Sequence, residues 1–187
     1  MDWAAIRAAI RTAVVSATGL AASRVYWGDT KEEAAMRLSP SIKLKLRSPQ
    51  DVGWDETRYE FDEEEDKLVP VRCGQRRFVV TISVEAQDQT DGRESVGALS
   101  STLRTRLQRA SVRAALRTSG VALSDVLTTQ EHDYSAEDRR ISVGITDVVF
   151  LAAENDVDTS DPGDYIATVE ATTAYTGQTP QVLEIGE

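Results

Sequence analysis

Glu131-His132-Asp133 is the one place in this chain where a histidine meets carboxylates, and His132 is its only histidine. A histidine there could serve as a general base. No nucleophile is pinned to it by spacing, so the triplet reads more readily as a surface or interface histidine. Five consecutive acids, Asp62, Glu63, Glu64, Glu65 and Asp66, could chelate a hard cation. A calcium loop, however, alternates its acids and places a glycine at the sixth position, and this run does neither. Cys73 stands alone, which excludes an internal disulfide and any cysteine-based zinc site. Beside Gly74 it reads as a small buried residue rather than a reactive thiol. No glycine-rich phosphate loop, CxxC, HExxH or GxSxG motif is present. The residues therefore point to no catalytic centre, no metal and no cofactor. Scattered Trp and Tyr residues offer no stacking platform for single strands.

Charge is more informative than motif. The 187 residues carry a net charge of −10, unevenly spread. Asp51 to Asp66 holds nine acids against Arg58 alone, and Ala152 to Glu187 holds eight acids with no Lys or Arg. Arg93 to Arg117 reverses the balance, with six arginines and only Glu94 against them. An acidic chain is poorly suited to tight duplex binding, which relies on phosphate neutralisation. The acidic stretches suit solubility and exposed loops, or a surface that repels nucleic acid or meets a basic neighbour.

Hydrophobic period supplies the elements that would position these groups. In Arg76–Gln87, Phe78, Val80, Ile82, Val84 and Ala86 fall on alternate positions, which predicts a long central strand with one buried face. Ser41–Leu46 alternates in the same way, with Ile42, Leu44 and Leu46 inward. Val25-Tyr26-Trp27 reads as an edge strand, Trp54–Phe61 as a weaker one, and Leu68–Cys73 as an extended segment. Asp62–Asp66 forms a solvated tip between those last two, and Gly74-Gln75 a turn into the central strand. Arg139–Leu151 reads as a second long strand, with Ile141, Val143, Ile145, Val149 and Leu151 on its buried face. Asp2 caps a helix from Trp3 to about Ala17, and Gly19 closes it. Val96, Leu99, Leu103 and Leu107 predict a helix from near Gly92 to near Ala110, with Arg104, Arg106 and Arg109 on its polar side. Ser111 caps a short helix from Val112 to Thr118. Asn155–Asp164 reads as a linker and Tyr165–Tyr175 as a last strand. The expected class is α+β: a mixed, mainly antiparallel sheet with an N-terminal helix and a central helical segment on one face. Residues 1–175 would form one domain and residues 176–187 a tail. The N-terminus, with Asp2, Arg7 and Arg11, reads as neither secretory signal nor membrane span.

The order of these segments resembles a known family. Val25-Tyr26-Trp27 and Pro40-Ser41-Ile42-Lys43-Leu44 follow an amphipathic N-terminal helix. Cys73-Gly74-Gln75-Arg76-Arg77-Phe78-Val79-Val80 then precedes a Leu-rich helix. Gly120-Val121 and Asp138-Arg139-Arg140-Ile141 lead into an apolar strand ending Val149-Phe150. Over roughly Asp2 to Tyr175 the chain resembles the tailed-bacteriophage neck or tail terminator family, also called tail-to-head joining proteins. The acidic insertion Asp62–Asp66 and the lysine-free acidic C-terminal stretch depart from that pattern. The resemblance implies a non-enzymatic virion protein, assembled in the bacterial cytoplasm and located at the phage neck. It implies a hexameric ring that caps the tail tube, ends its elongation and meets the head connector or head completion protein. DNA would pass through the lumen without specific binding. Arg104, Arg106, Arg109 and Arg113 are then candidates to meet acids of the neighbouring subunit. A head-side connector or tail-completion protein is the near alternative, and a non-viral α+β binding module the more distant one.

Overall fold

The structure, a computed structural model, describes residues 2–28, 39–47, 49–63, 67–87, 94–136, 139–157, 169–173 and 181–185. Thr30–Leu38, expected to be irregular, lies outside them, as do Glu64, Glu65 and Asp66 of the acidic tip. The chain falls into two compact units: Met1–Asp55 with Gly74–Glu154, and Glu56–Cys73 with Asn155–Glu187.

The first unit is an α+β layer pair. Helix α1 (Trp3–Thr18) starts at Asp2, whose Oδ1 accepts from the Ala4 and Ala5 amides at 2.9 and 3.0 Å. These bonds satisfy amides that the first helical turn leaves without partners. Gly19 ends the helix with φ 77°, a left-handed conformation that glycine adopts without strain. Strand β1 (Val25–Trp27) pairs parallel with β2 (Ser41–Leu46), which pairs antiparallel with the second half of β5 (Lys67–Gln87). The two-residue β3 (Gln50–Asp51) continues along the same edge of β5. Helices α2 (Val96–Leu107) and α3 (Ala110–Thr118) follow, then β6 (Val121–Val126), β7 (Gln130–Ala136) and β8 (Arg139–Val157). The sheet runs β1-β2-β5-β8-β6, and β7 also pairs with β8 in an antiparallel ladder.

Alternation decides which face is covered. Phe78, Val80, Ile82, Val84 and Ala86 of β5 are buried in one cluster with Ile42 and Leu44 of β2. Ile6, Ile10 and Val14 of α1, and Leu99, Leu103 and Leu107 of α2, lie in that same cluster. The helices thus cover one face of the sheet, as the period predicts. Phe78 stands at its centre, edge-on to Trp3 at 5.3 Å and stacked on Phe150 at 5.7 Å between ring centroids.

Four expectations are corrected. Gly74-Gln75 is no turn, because β5 runs unbroken through it. Ser111 lies inside α3, whose N-cap is Arg109 without a side-chain bond. On β8 the residues in the helix-covered core are Val148, Phe150 and Ala152; of the odd-numbered set Val143 and Val149 are buried as expected but outside that cluster, and Ile141, Ile145 and Leu151 are only half-buried. The cause is close packing: a Cβ on Gly144 would stand 2.5 Å from Ser100 Oγ and 2.8 Å from Val96 Cγ1, both on α2. Only a residue without a side chain admits the helix there, so the even face looked polar in sequence while facing the core. Finally, β8 runs on to Val157 through the start of the expected linker.

In the second unit, β4 (Glu56–Asp62) pairs antiparallel with the first half of β5, from Glu56↔Cys73 to Asp62↔Lys67. Strand β9 (Val169–Thr173) pairs antiparallel with β10 (Gln181–Ile185), so the stretch read as a tail contains a strand.

Candidate functional site

The four candidate arginines divide into two kinds. Arg106 Nη1 donates to Ala17 O at 3.2 Å, near the C-terminus of α1, where carbonyls lack helical partners and the helix dipole favours a cation. Arg113 Nη2 donates to Leu123 O at 3.3 Å, tying α3 to β6. These two are braces within the chain. Arg104 and Arg109 are exposed, and their side chains have no hydrogen bond or ion pair among the described residues. Arg117, absent from the candidate set, is placed the same way. Arg11 is another brace: its Nε and Nη2 donate to Val25 O and Ala22 O at 2.8 and 2.9 Å. Arg7 lies over the Trp27 ring at 5.1 Å.

The charge pattern follows the fold. Helices α1, α2 and α3 contain Arg7, Arg11, Arg104, Arg106, Arg113 and Arg117 and no Asp or Glu. Arg109 sits between α2 and α3. The helical layer is therefore uniformly cationic in a chain of net charge −10. Between α1 and α3 lies a groove of about 550 Å³, lined among others by Ala5, Ala8 and Thr12 of α1 and Ser111, Ala115 and Ser119 of α3.

The acidic tip ends the β4–β5 hairpin. Asp62 and Glu63 are described there, with Glu63 exposed. Tyr59 and Phe61 pair across the hairpin with Pro70 and Leu68, and are 59% and 51% exposed. Val69 and Val71, on the opposite pleat of β5, are buried. The hairpin thus offers one apolar face to solvent. Trp54, just before it in sequence, is 98% exposed. Single exposed apolar residues are ordinary, whereas a contiguous patch marks an interaction surface.

Sequence reasoning missed an ion cluster around Arg76. Its Nη1 and Nη2 grip Asp55 Oδ1 and Oδ2 at 2.7 and 2.9 Å, a bidentate pair. Nε donates to Glu154 Oε2 at 2.6 Å and lies 3.3 Å from Asp51 Oδ1. The Arg76 and Asp55 side chains are only 14% and 12% exposed. The Asp55 hydrogen bond, above all, holds the guanidinium above arginine's usual range; desolvation opposes it, while Glu154 and the charges of Asp51 and Asp55 add to it. A raised base pKa stabilises below the unfolded value and is lost only as pH rises through the folded one, so the Arg76 guanidinium keeps its charge until strongly alkaline solution. A Cβ on Gly74 would collide with Asp55 Oδ1, which explains a glycine inside a continuous strand. Its sequence signal was that very glycine, read as a turn. Across the sheet's other face, Asp147 accepts from Thr81 Oγ1 at 2.6 Å and pairs with Arg47 Nη2 at 3.1 Å.

His132 is exposed on β7 opposite Val143, and Cys73 is half-buried with its Sγ 3.8 Å from Val71 O. No group of three or more His, Cys, Asp or Glu among the described residues is arranged to hold a metal ion. No protein-family model matches the chain, and no curated protein matches it significantly.

Proposed function

We propose that this chain is a ring-forming structural protein of the phage neck, one that caps the tail tube, ends its elongation and joins the tail to the head connector. The observation that carries the reading is the split surface: a cationic helical layer with an open groove, and an acid-tipped hairpin with an exposed apolar face. A cyclic ring is built from heterologous contacts, in which two different patches of one chain meet on neighbouring copies. A chain whose opposite charges sit on different elements is suited to that geometry, and the segment order described above resembles that of neck proteins. On this reading the partners are five further copies in a hexamer, a tail tube protein on one side and a head completion protein on the other. The lumen wall is acidic or neutral, so that DNA passes without adhering. A phage lacking the gene then yields unjoined heads and tails of irregular length, and electron micrographs of the purified chain show closed rings. Wild-type tail lengths and intact virions in the deletion contradict the proposal. Tails of normal length that fail only to join heads favour the head-side connector instead.

A further inference from the structure

We infer that Trp54 is a preformed anchor for self-association, its indole docking on the exposed arginines at the α2–α3 corner of a second copy. The inference rests on the ring reading and names one of its contacts. Trp54 is 98% exposed, more than any other large apolar residue among those described. An indole left in water forgoes the gain of burying about 150–250 Å² of surface. The segment that carries it is clamped. Arg76 Nε lies 3.3 Å from Asp51 Oδ1, and Nη1 and Nη2 grip Asp55 at 2.7 and 2.9 Å, so one guanidinium holds both ends of Asp51–Asp55. Between them Val52 N donates to Gln75 O at 2.9 Å, and Gly53 turns the chain with φ 76°, a left-handed conformation that favours glycine. Trp54 is thus held out on a fixed turn, and a group placed before binding loses little freedom when a partner closes on it. Tryptophan is also among the residues that most often dominate the energy of an interface.

Charge selects the partner. Asp51, Asp55 and Glu154 surround Arg76, three carboxylates to one guanidinium, and the Asp51 side chain is 74% exposed. The base of the turn is therefore anionic. It repels phosphate, which argues against a nucleic-acid base as the group that stacks on Trp54. It attracts a cation, and the indole face is the best aromatic surface for one, arginine more often than lysine. The same chain offers that cation on another element. Helices α1, α2 and α3 contain no Asp or Glu. Arg104, in the last turn of α2, and Arg109, the N-cap of α3, flank the corner between those helices. Both are exposed and lack a side-chain partner among the described residues. Their neighbours Arg106 and Arg113 are engaged as braces within the chain, so Arg104 and Arg109 are the corner's guanidinium groups left for a second copy. Opposite potentials around an aromatic anchor fix partner and orientation.

Sedimentation velocity and tryptophan fluorescence of the full chain test this. In dilute solution Trp54 emits as a solvated indole and is quenched by acrylamide. Where the wild type assembles, that emission moves to shorter wavelength and is shielded, and Trp54→Phe shows neither change. Trp54→Ser weakens self-association about tenfold or more. Its melting temperature stays that of the wild type, because the side chain buries almost nothing within the chain. Arg104→Gln/Arg109→Gln weakens association to a similar extent, and adding Trp54→Ser to it brings little further loss, the coupling expected of groups in direct contact. If the wild type assembles and Trp54→Ser assembles equally well, or Trp54 stays quenchable in the assembly, the contact falls while the ring stands. If the losses from Trp54→Ser and from the arginine pair simply multiply, Trp54 docks elsewhere and the proposal is overturned. If the wild type stays monomeric throughout, both fall. If a single-stranded oligonucleotide shields Trp54 and self-association does not, the turn belongs to nucleic acid and the proposal is likewise overturned.

Discussion

Strands β2 and β4 pair with the same long strand β5, in the same antiparallel sense, yet their side chains meet different surroundings. Ile42 and Leu44 of β2 are fully buried beneath the helices, whereas Tyr59 and Phe61 of β4 are more than half exposed. Backbone pairing alone therefore does not bury the side chains of a strand: β2 is buried under the helical layer, whereas along the β4 half of β5 only the pleat that holds Val69 and Val71 is buried. Burying apolar surface yields about 25 cal/mol per Å². The second half of β5 is thus a stability element, while the exposed face of its first half is available for contact.

The largest test of this contrast is a pair of truncations. Leu103→Ala, at a fully buried site of α2, is expected to cost about 2–5 kcal/mol in denaturant unfolding. Phe61→Ala on the hairpin is expected to change stability by about 0.5 kcal/mol or less in an unassembled chain. Equal losses at the two sites would erase the distinction between core and contact face. Gly144→Ala comes next, at about 1–3 kcal/mol, because its Cβ would be forced onto Ser100 Oγ. A neutral result would mean that α2 rides higher over β8 than the structure has it.

The Arg76 cluster sharpens the comparison, since Asp55, Arg76 and Glu154 lie within two residues of the three places where the chain passes from one unit to the other. Arg76→Gln leaves three carboxylates without their shared cation. It is expected to lower Tm more than Arg47→Gln, whose side chain is 58% exposed and pairs with a single acid. Equal Tm shifts would reduce the cluster to surface charge. The smallest effect belongs to the acidic tip. Serine at all five positions from Asp62 to Asp66 is expected to leave Tm nearly unchanged, and a large drop would show that the run is ion-paired or metal-bound.

The elements differ in how plainly the residues announce them. β2 and the second half of β5 were legible because their large apolar residues all lie on one face. β8 was misread because apolar residues occupy both its faces, and the helix-facing one needs Gly144 and buries Thr146, which bonds Thr129 Oγ1 at 2.8 Å. The arginines announced a cationic segment but not its division. Arg106 becomes a brace only because α2 packs beside the end of α1, a tertiary relation that the helical period of α2 does not contain. The Arg76 cluster gathers residues up to 103 positions apart, from Asp51 to Glu154, so no local pattern reveals it.

Native mass spectrometry of the wild-type chain across a concentration series tests the central claim most directly. The ring reading predicts a closed hexamer that gives way to monomer as salt rises, because the complementary charges that orient its contacts are screened. Monomer alone at every concentration, in the absence and in the presence of tail tubes, would contradict it.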